Sequence, residues 1–140
     1  MPRIGRIDVP DTVVLVDGNQ EQLEQAVANL LENATDYTEQ GYVGIEIRAE
    51  EEGVRISVTD SGYGIPDNEI RNIWKRFYRG KRVRGMTHAG YGLGLSIVKE
   101  IVELHNGRVM VSSVENQGSR FDIILPATKS QLTNGVHGAH

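Results

Sequence analysis

No cysteine occurs among the 140 residues. Disulfides and thiolate metal sites are thereby excluded, and the compartment is left open, since a cysteine-free chain tolerates any redox environment. No apolar run approaches the roughly 20 residues of a membrane helix. The opening Met1-Pro2-Arg3-Ile4-Gly5 carries no secretory apolar stretch. The piece in hand is therefore expected to be soluble and to make no membrane contact, which leaves room for an anchor elsewhere in a longer parent protein. Nor is positive charge in excess: the formal net charge is −4, and the basic residues are scattered except around Lys75–Arg84. A nucleic-acid binder would rest on a basic surface, so no nucleic-acid partner is expected. There is no internal repeat. The four histidines form no metal-ligand pair at useful helical spacing.

What is present fits one soluble globular domain: 39% apolar and 24% charged residues, at a length that supports a single core without staples. Thr12–Val16 is a β-branched run that reads as a buried strand. Asp17 after it can cap a helix. Leu23, Ala26, Val27, Leu30, Leu31 and Ala34 recur at helical spacing, predicting an amphipathic helix over about 18–37. Gly41 and Gly44 flank a turn. Ile45–Arg48 and Val54–Val58 alternate apolar and polar as half-buried strands do, with Glu50–Gly53 as a hairpin turn. A loop, Asp60–Pro66, leads to a short helix beginning at Pro66 and running to about Trp74. Arg79, Lys81, Arg82, Arg84 and His88 share 79–90 with Gly80, Gly85 and Gly90, which reads as a mobile, basic surface segment. Leu93 to Leu104 supports a buried helix over about 92–105, stopped by Asn106-Gly107. Arg108–Val114 and Arg120–Leu125 read as strands joined by the Glu115–Gly118 turn. The polar end after Pro126 is expected to fray. Adjacent strand pairs imply hairpins in a mixed or antiparallel sheet, with helices on one face.

Four features bear on chemistry. Asn29 and Asn33 are i,i+4 neighbours, and asparagine is a poor helix-interior residue. They are either solvated asparagines or amides turned toward a hard cation such as Mg²⁺, which takes the rest of its shell from water and phosphate. Asp60-Ser61-Gly62-Tyr63-Gly64 follows an apolar strand. It is either an Asp–Gly turn or a carboxylate held at a cleft, where an adenine amine could donate to it and glycine lets backbone approach a flat ligand. Gly90-Tyr91-Gly92-Leu93-Gly94 opens a helix, a setting that can bind anions. Its spacing is not the dinucleotide fingerprint, and Gly80-Lys81-Arg82 is not a Walker A loop. Phe77–Arg82 brings cations to a flexible loop, either solvated or within reach of polyphosphate.

The order of these signals is more specific than any one of them. Asn29–Ala34 resembles the N box of sensor histidine kinases, and Asp60–Pro66 resembles their G1 box. Trp74–Arg79 is similar to the F box, Gly90–Lys99 to the G2 box, and Gly118–Phe121 to the last glycine motif. The resemblance covers roughly residues 12 to 126. It implies an α+β, Bergerat-type two-layer α/β sandwich, shared with DNA gyrase, a mismatch-repair ATPase and a heat-shock chaperone. A mixed, mostly antiparallel sheet would carry helices on one face. The catalytic domain would span 1–126, and 127–140 would be a flexible tail.

The resemblance also implies Mg²⁺ and ATP as ligands. Asn33 would ligate Mg²⁺, and Asn29 would support phosphates or metal. Tyr37 would pack near adenine, and Asp60 would accept from its amine. Gly62, Gly64 and Ile65 would line the base pocket, with Ser119 beside it. Residues 79–90 would be the ATP lid, Arg79 and Lys81 reaching phosphate. Gly90, Tyr91, Gly92, Leu93, Gly94 and Leu95 would form the phosphate-side glycine box, and Phe77 would dock the lid. The implied reaction is two-component signalling: γ-phosphoryl transfer to a histidine on a separate dimerisation and phosphoacceptor domain, with a response regulator downstream, a cytoplasmic setting, and an isolated domain that is monomeric.

Two departures qualify it. A Lys or Arg often precedes the N-box aromatic residue, where this chain has Asp36. The family's acceptor histidine is followed by an acid, whereas His88, His105 and His137 are followed by Ala, Asn and Gly, and His140 by nothing. The chain is therefore expected to be the catalytic half only. Glu32 is a weak candidate base, about 100° round the helix from Asn33. A serine-directed kinase, a gyrase-type ATPase without its transducer domain, and a regulatory nucleotide-binding module are the alternatives, the last kept open by Asp36.

Overall fold

The computed structural model describes residues 3–8 (backbone alone), 16–51, 53–78 and 94–128. Five strands form one sheet in the order β1-β2-β3-β5-β4. They are β1 Arg3–Asp8, β2 Tyr42–Glu50, β3 Gly53–Asp60, β4 Arg108–Val114 and β5 Gly118–Pro126. β1 runs parallel to β2, and every other pairing is antiparallel. The helices are α1 Gln20–Tyr37, α2 Asp67–Ile70 and α3 Gly94–Leu104. The expected mixed, mostly antiparallel sheet is what forms.

Register makes one sheet face apolar. Ile45, Val58, Phe121 and Val111 are successive cross-strand partners, as are Ile47, Ile56, Ile123 and Val109. Onto this face α1 buries Ala26, Leu30 and Ala34, while α3 buries Leu95, Val98, Ile101 and Val102. Ile65 and Ile73 join the same core, and Trp74 meets Phe121 edge-on with ring centroids 5.8 Å apart. The opposite face is polar. There the buried Asp122 accepts from Ser57 Oγ and from Arg120 Nε at 3.1 Å, with Arg55 Nη1 at 3.4 Å, so the carboxylate is not left uncompensated.

Several boundaries differ from expectation. β1 was not anticipated: Ile4 and Ile7 are three apart, and the register shift between Ile4 and Arg6 breaks the period-two pattern. The expected Thr12–Val16 strand lies outside the described residues, apart from Val16, which is not in a strand and packs against the core. The cap of α1 is Asn19 rather than Asp17. Asn19 Oδ1 accepts from the Gln22 N–H at 3.0 Å, and Asp17 stands two residues too early to reach that donor. Gly44 lies inside β2 and does not bound a turn. The helix expected from Pro66 to Trp74 is shorter, because α2 is one turn with Pro66 as its cap. Beyond it Asn72 N–H donates to Glu69 O at 2.9 Å and Lys75 N–H to Asn72 O at 3.0 Å, the i to i+3 spacing of tighter turns.

His105 ties the two long helices together. Its Nε2 accepts from the Asn19 N–H at 2.9 Å, and Nδ1 lies 2.7 Å from Ile101 O. This pairing requires a neutral ring with its proton on Nδ1. With both nitrogens engaged and the ring buried, His105 is a structural residue and not a phosphoacceptor. His105→Ala is expected to cost about 2 kcal/mol, for a lost buried hydrogen bond and a cavity. Chemical denaturation would show it as a lower midpoint.

Candidate functional site

The apolar sheet face turns polar at one end. The next row of cross-strand partners after Ile45–Val58–Phe121–Val111 is Val43, Asp60, Ser119 and Ser113. A buried polar row needs partners. Ser113 Oγ accepts from the Ile65 N–H at 2.7 Å, donates to Gly118 O at 2.8 Å, and lies 2.8 Å from Ser119 Oγ. It thus fastens the loop after β3 to the end of β4. The same loop meets the end of α1 backbone to backbone, with Tyr63 N–H donating to Tyr37 O at 2.9 Å. Gly62 is what permits this, since a Cβ there would overlap the Tyr37 carbonyl. Gly64, at φ +70°, is left-handed, and a Cβ would overlap the Val114 carbonyl.

Asp60, the last residue of β3, is held by this loop. Its Oδ1 accepts from the Gly62 N–H at 2.9 Å. Its Oδ2 is buried with no hydrogen-bond partner among the described residues, and so is the nearby Thr38 Oγ1. Burial pushes the Asp60 carboxyl above the ordinary carboxylate range. The backbone amides of Gly62 and Ser119 oppose the shift, and the Thr38 hydroxyl adds a weaker pull from outside hydrogen-bond geometry. A buried acceptor without a donor costs roughly 1–3 kcal/mol, so Oδ2 is the atom that a ligand's N–H would satisfy.

On α1, Asn29, Asn33 and Tyr37 stand at i, i+4 and i+8, flanking the stripe Ala26–Leu30–Ala34 that faces the core. Asn29 Nδ2 reaches Gly94 O, the first residue of α3, at 3.4 Å. Asn33 Nδ2 is buried without a partner among the described residues. The Tyr37 hydroxyl is pushed up to about 12, first by burial, then by Glu69, Tyr78, Asp60 and Asp36. It stays protonated at neutral pH and can donate a hydrogen bond. A narrow cleft, with room for about one water, is lined by Tyr37, Gly64, Ile65, Pro66, Glu69, Ile73 and Tyr78.

The fold thus brings together Asn29, Asn33, Tyr37, Asp60, Gly62, Gly64, Ile65 and Ser119 along one edge of the α1–sheet layer. Gly94 stands exposed at the start of α3, while Leu95 is buried in the core. Arg79, Lys81, Gly90, Tyr91, Gly92 and Leu93 lie outside the described residues, as does the rest of the expected lid. Phe77 is 66% exposed at φ +65°, with the Arg76 guanidinium 5.6 Å from its ring centroid. The described residues contain no cluster of three or more His, Cys, Asp or Glu able to hold a metal, and no helix among them is long and apolar enough to cross a membrane.

Sequence reasoning missed Ser113, Glu69 and Tyr78. Ser113 had a usable signal: it continues the inward Val109–Val111 alternation as a polar residue. Glu69 carried none, because it stands among the acids of α2 and looks solvated.

Comparison with known proteins agrees with this geometry. The family model of histidine kinase-, DNA gyrase B-, and HSP90-like ATPases matches residues 18–129. The sensor histidine kinase WalK of Bacillus subtilis (strain 168) is 36% identical over 127 residues, which are 89% of this chain and 21% of the relative. The solved mycobacterial sensor histidine kinase MprB is 32% identical with a TM-score of 0.77, covering 90% of this chain and 83% of that one. Full-length ShkA in complex with AMPPNP is 29% identical at a TM-score of 0.72, over 91% of this chain and 26% of that one. The chain belongs to the histidine kinase-, DNA gyrase B-, and HSP90-like ATPase family, and its relatives place it with the ATP-binding catalytic domains of sensor histidine kinases. It spans about a fifth of the length of the WalK relative it matches.

Proposed function

We propose that this domain binds Mg²⁺-ATP and donates the γ-phosphoryl to a histidine on a separate dimerisation and phosphoacceptor domain, from which a response regulator is served. The observation that carries the reading is Asp60 Oδ2, without a hydrogen-bond partner among the described residues, at the polar end of an otherwise apolar sheet face, beside Tyr37. An adenine amine would satisfy that oxygen, and the glycines let the loop pack closely on Tyr37 and Val114, which fixes Asp60 in place. Phosphoryl transfer asks little covalent chemistry of the protein and much positioning, which suits a site built from amides, one carboxylate and backbone.

Asn33 fits a Mg²⁺ ligand. Its Nδ2 is buried without a partner among the described residues, and oxygen and nitrogen of such an amide exchange by a half-turn. A single amide oxygen is enough for an ion that keeps several waters and takes phosphate oxygens. Asn29, on α1, supports the phosphate end beside the start of α3. Arg79 and Lys81 complete the phosphate site, with Gly90, Tyr91, Gly92, Leu93, Gly94 and Leu95 as the segment around it, and Ser119 buttresses the base end. The working compartment is the cytoplasm, where ATP is.

The test is transfer. The chain alone, given labelled ATP, is expected to bind it and to form no phosphohistidine. Addition of a dimerisation hairpin bearing a His-acid motif is expected to yield acid-labile phosphohistidine on the hairpin. Stable phosphate on this chain alone would sink the split-domain reading, and binding without transfer to any supplied hairpin would favour the regulatory module.

Asp36 bears on affinity. It sits beside Tyr37 on α1 and is close enough to raise the Tyr37 hydroxyl. An acid near polyphosphate opposes binding, so Asp36→Lys is expected to tighten ATP binding by about fivefold at low salt. Calorimetry that finds unchanged or weaker affinity would refute this.

A further inference from the structure

Glu69 has no part in the roles assigned above, yet it is only 7% exposed. It belongs to the single turn of α2 and lines the cleft with Tyr37, Pro66, Ile73 and Tyr78. An apolar side chain could fill the same space without the desolvation that a buried carboxylate carries. The carboxylate is engaged: Glu69 Oε1 accepts from the Tyr78 hydroxyl at 2.8 Å. The second cleft aromatic, Tyr37, also feels Glu69, which is the strongest single charge acting on its hydroxyl. Glu69 itself is fixed by its backbone, its N–H donating to Pro66 O at 2.8 Å and its carbonyl accepting from Asn72 N–H at 2.9 Å. Pro66 directly follows the Gly64–Ile65 loop. The firm partner is thus Glu69, and the group it positions is Tyr78, at the end of the turns that follow α2.

We propose that Glu69 is a positioning residue for the nucleotide base, its carboxylate fixing the Tyr78 hydroxyl so that Tyr78 backs Tyr37 in an aromatic wall beside the Asp60 base site. The proposal rests on the nucleotide reading of the Asp60 site. An aromatic wall held at fixed distance stacks on a base or packs against its edge, whereas a Tyr78 ring without this hydrogen bond is held less closely and gives up more freedom when the ligand binds. Releasing it is expected to weaken binding by about tenfold.

The experiment is ATP titration, with Mg²⁺, of the full chain and of Tyr78→Phe, Glu69→Ala, Glu69→Gln and the Glu69→Ala/Tyr78→Phe double variant. Thermal melts of each are taken in parallel. Tyr78→Phe removes one oxygen and is the decisive variant for folding reasons. We expect Tyr78→Phe and Glu69→Ala each to weaken ATP by about tenfold, the double variant to be no weaker than Glu69→Ala, and Glu69→Gln, which still accepts the hydroxyl proton, to stay within about twofold of the wild type. Wild-type affinity in Tyr78→Phe, even with a lower melting temperature, overturns the proposal, because the pair would then be only structural. Additive losses in the double variant overturn it too. If instead the wild-type chain fails to bind ATP at all, the nucleotide reading itself is what has failed.

Discussion

Asp60→Asn is expected to remove most nucleotide binding and, at the same time, to make the ligand-free domain more stable. The two effects share one cause. The Asp60 carboxyl is buried at the polar end of the sheet with no hydrogen-bond partner for Oδ2 among the described residues, and burial holds its pKa above the ordinary value. A carboxyl whose folded-state pKa is raised holds its proton more tightly when folded. Its contribution to stability is fully present below the unfolded pKa and is lost as pH rises through the folded one. At neutral pH the ionised group therefore works against the fold, and a neutral amide of the same shape relieves that. For the ligand the balance reverses. A charge-assisted hydrogen bond from a base amine is lost, and the amide presents an N–H₂ as readily as an oxygen. Together these are worth about 2–3 kcal/mol, roughly 30- to 150-fold in affinity. Calorimetric titration with Mg²⁺-ATP reads the first effect and urea denaturation without ligand reads the second. Full affinity in the variant, or a lower denaturation midpoint, would show that Asp60 is a structural turn residue. The wild type should in addition lose ATP affinity as pH falls through the raised Asp60 pKa, a dependence missing from the variant.

The division of labour in this site explains how much of it could be read from residues alone. Periodicity located α1, α3 and four of the strands, because each buries one regular face: Ala26, Leu30 and Ala34 on the helix, Phe121, Ile123 and Leu125 on β5. The glycines around Asp60 were legible as a close approach, but the partner was not: the residues suggested a flat ligand, whereas the loop touches Tyr37 and Val114 by backbone and leaves no room for a Cβ. Two things were not legible. One is register. Nothing local says that Ser113 and Ser119 flank Asp60, which depends on the β3–β5–β4 pairing across more than fifty residues. The other is irregularity. β1 hides its alternation behind a register shift, and α2 ends after one turn because the chain tightens into i to i+3 turns as it carries Trp74 onto Phe121. Glu69 was invisible for the same reason: its burial is decided by how that short turn sits against Tyr37 and Tyr78, and its own sequence neighbours look solvated.

Asn33→Ala is expected to have the largest effect on turnover and a modest one on the fold. Asn33 and Asn29 are one helical turn apart on α1, yet their surroundings differ. The Asn29 amide already has an acceptor in Gly94 O, so part of its role is to join α1 to the start of α3. The Asn33 Nδ2 is buried with nothing among the described residues to pair with. That arrangement lowers stability in the ligand-free protein and becomes favourable only when a ligand supplies the partner. Removing the amide should therefore leave the melting temperature near or above that of the wild type. It should also abolish the difference in ATP affinity with and without Mg²⁺, and slow transfer to a supplied phosphoacceptor hairpin by about 100- to 1,000-fold, the usual scale for losing one preorganised electrostatic contact. Asn29→Ala should instead lower stability and keep the Mg²⁺ dependence. Titrations of both variants with ATP in magnesium and in EDTA, followed by transfer assays, separate the two asparagines. Retained Mg²⁺ dependence in Asn33→Ala would move the metal away from this residue, and a stability loss equal to that of Asn29→Ala would make both of them simple joints between the helices.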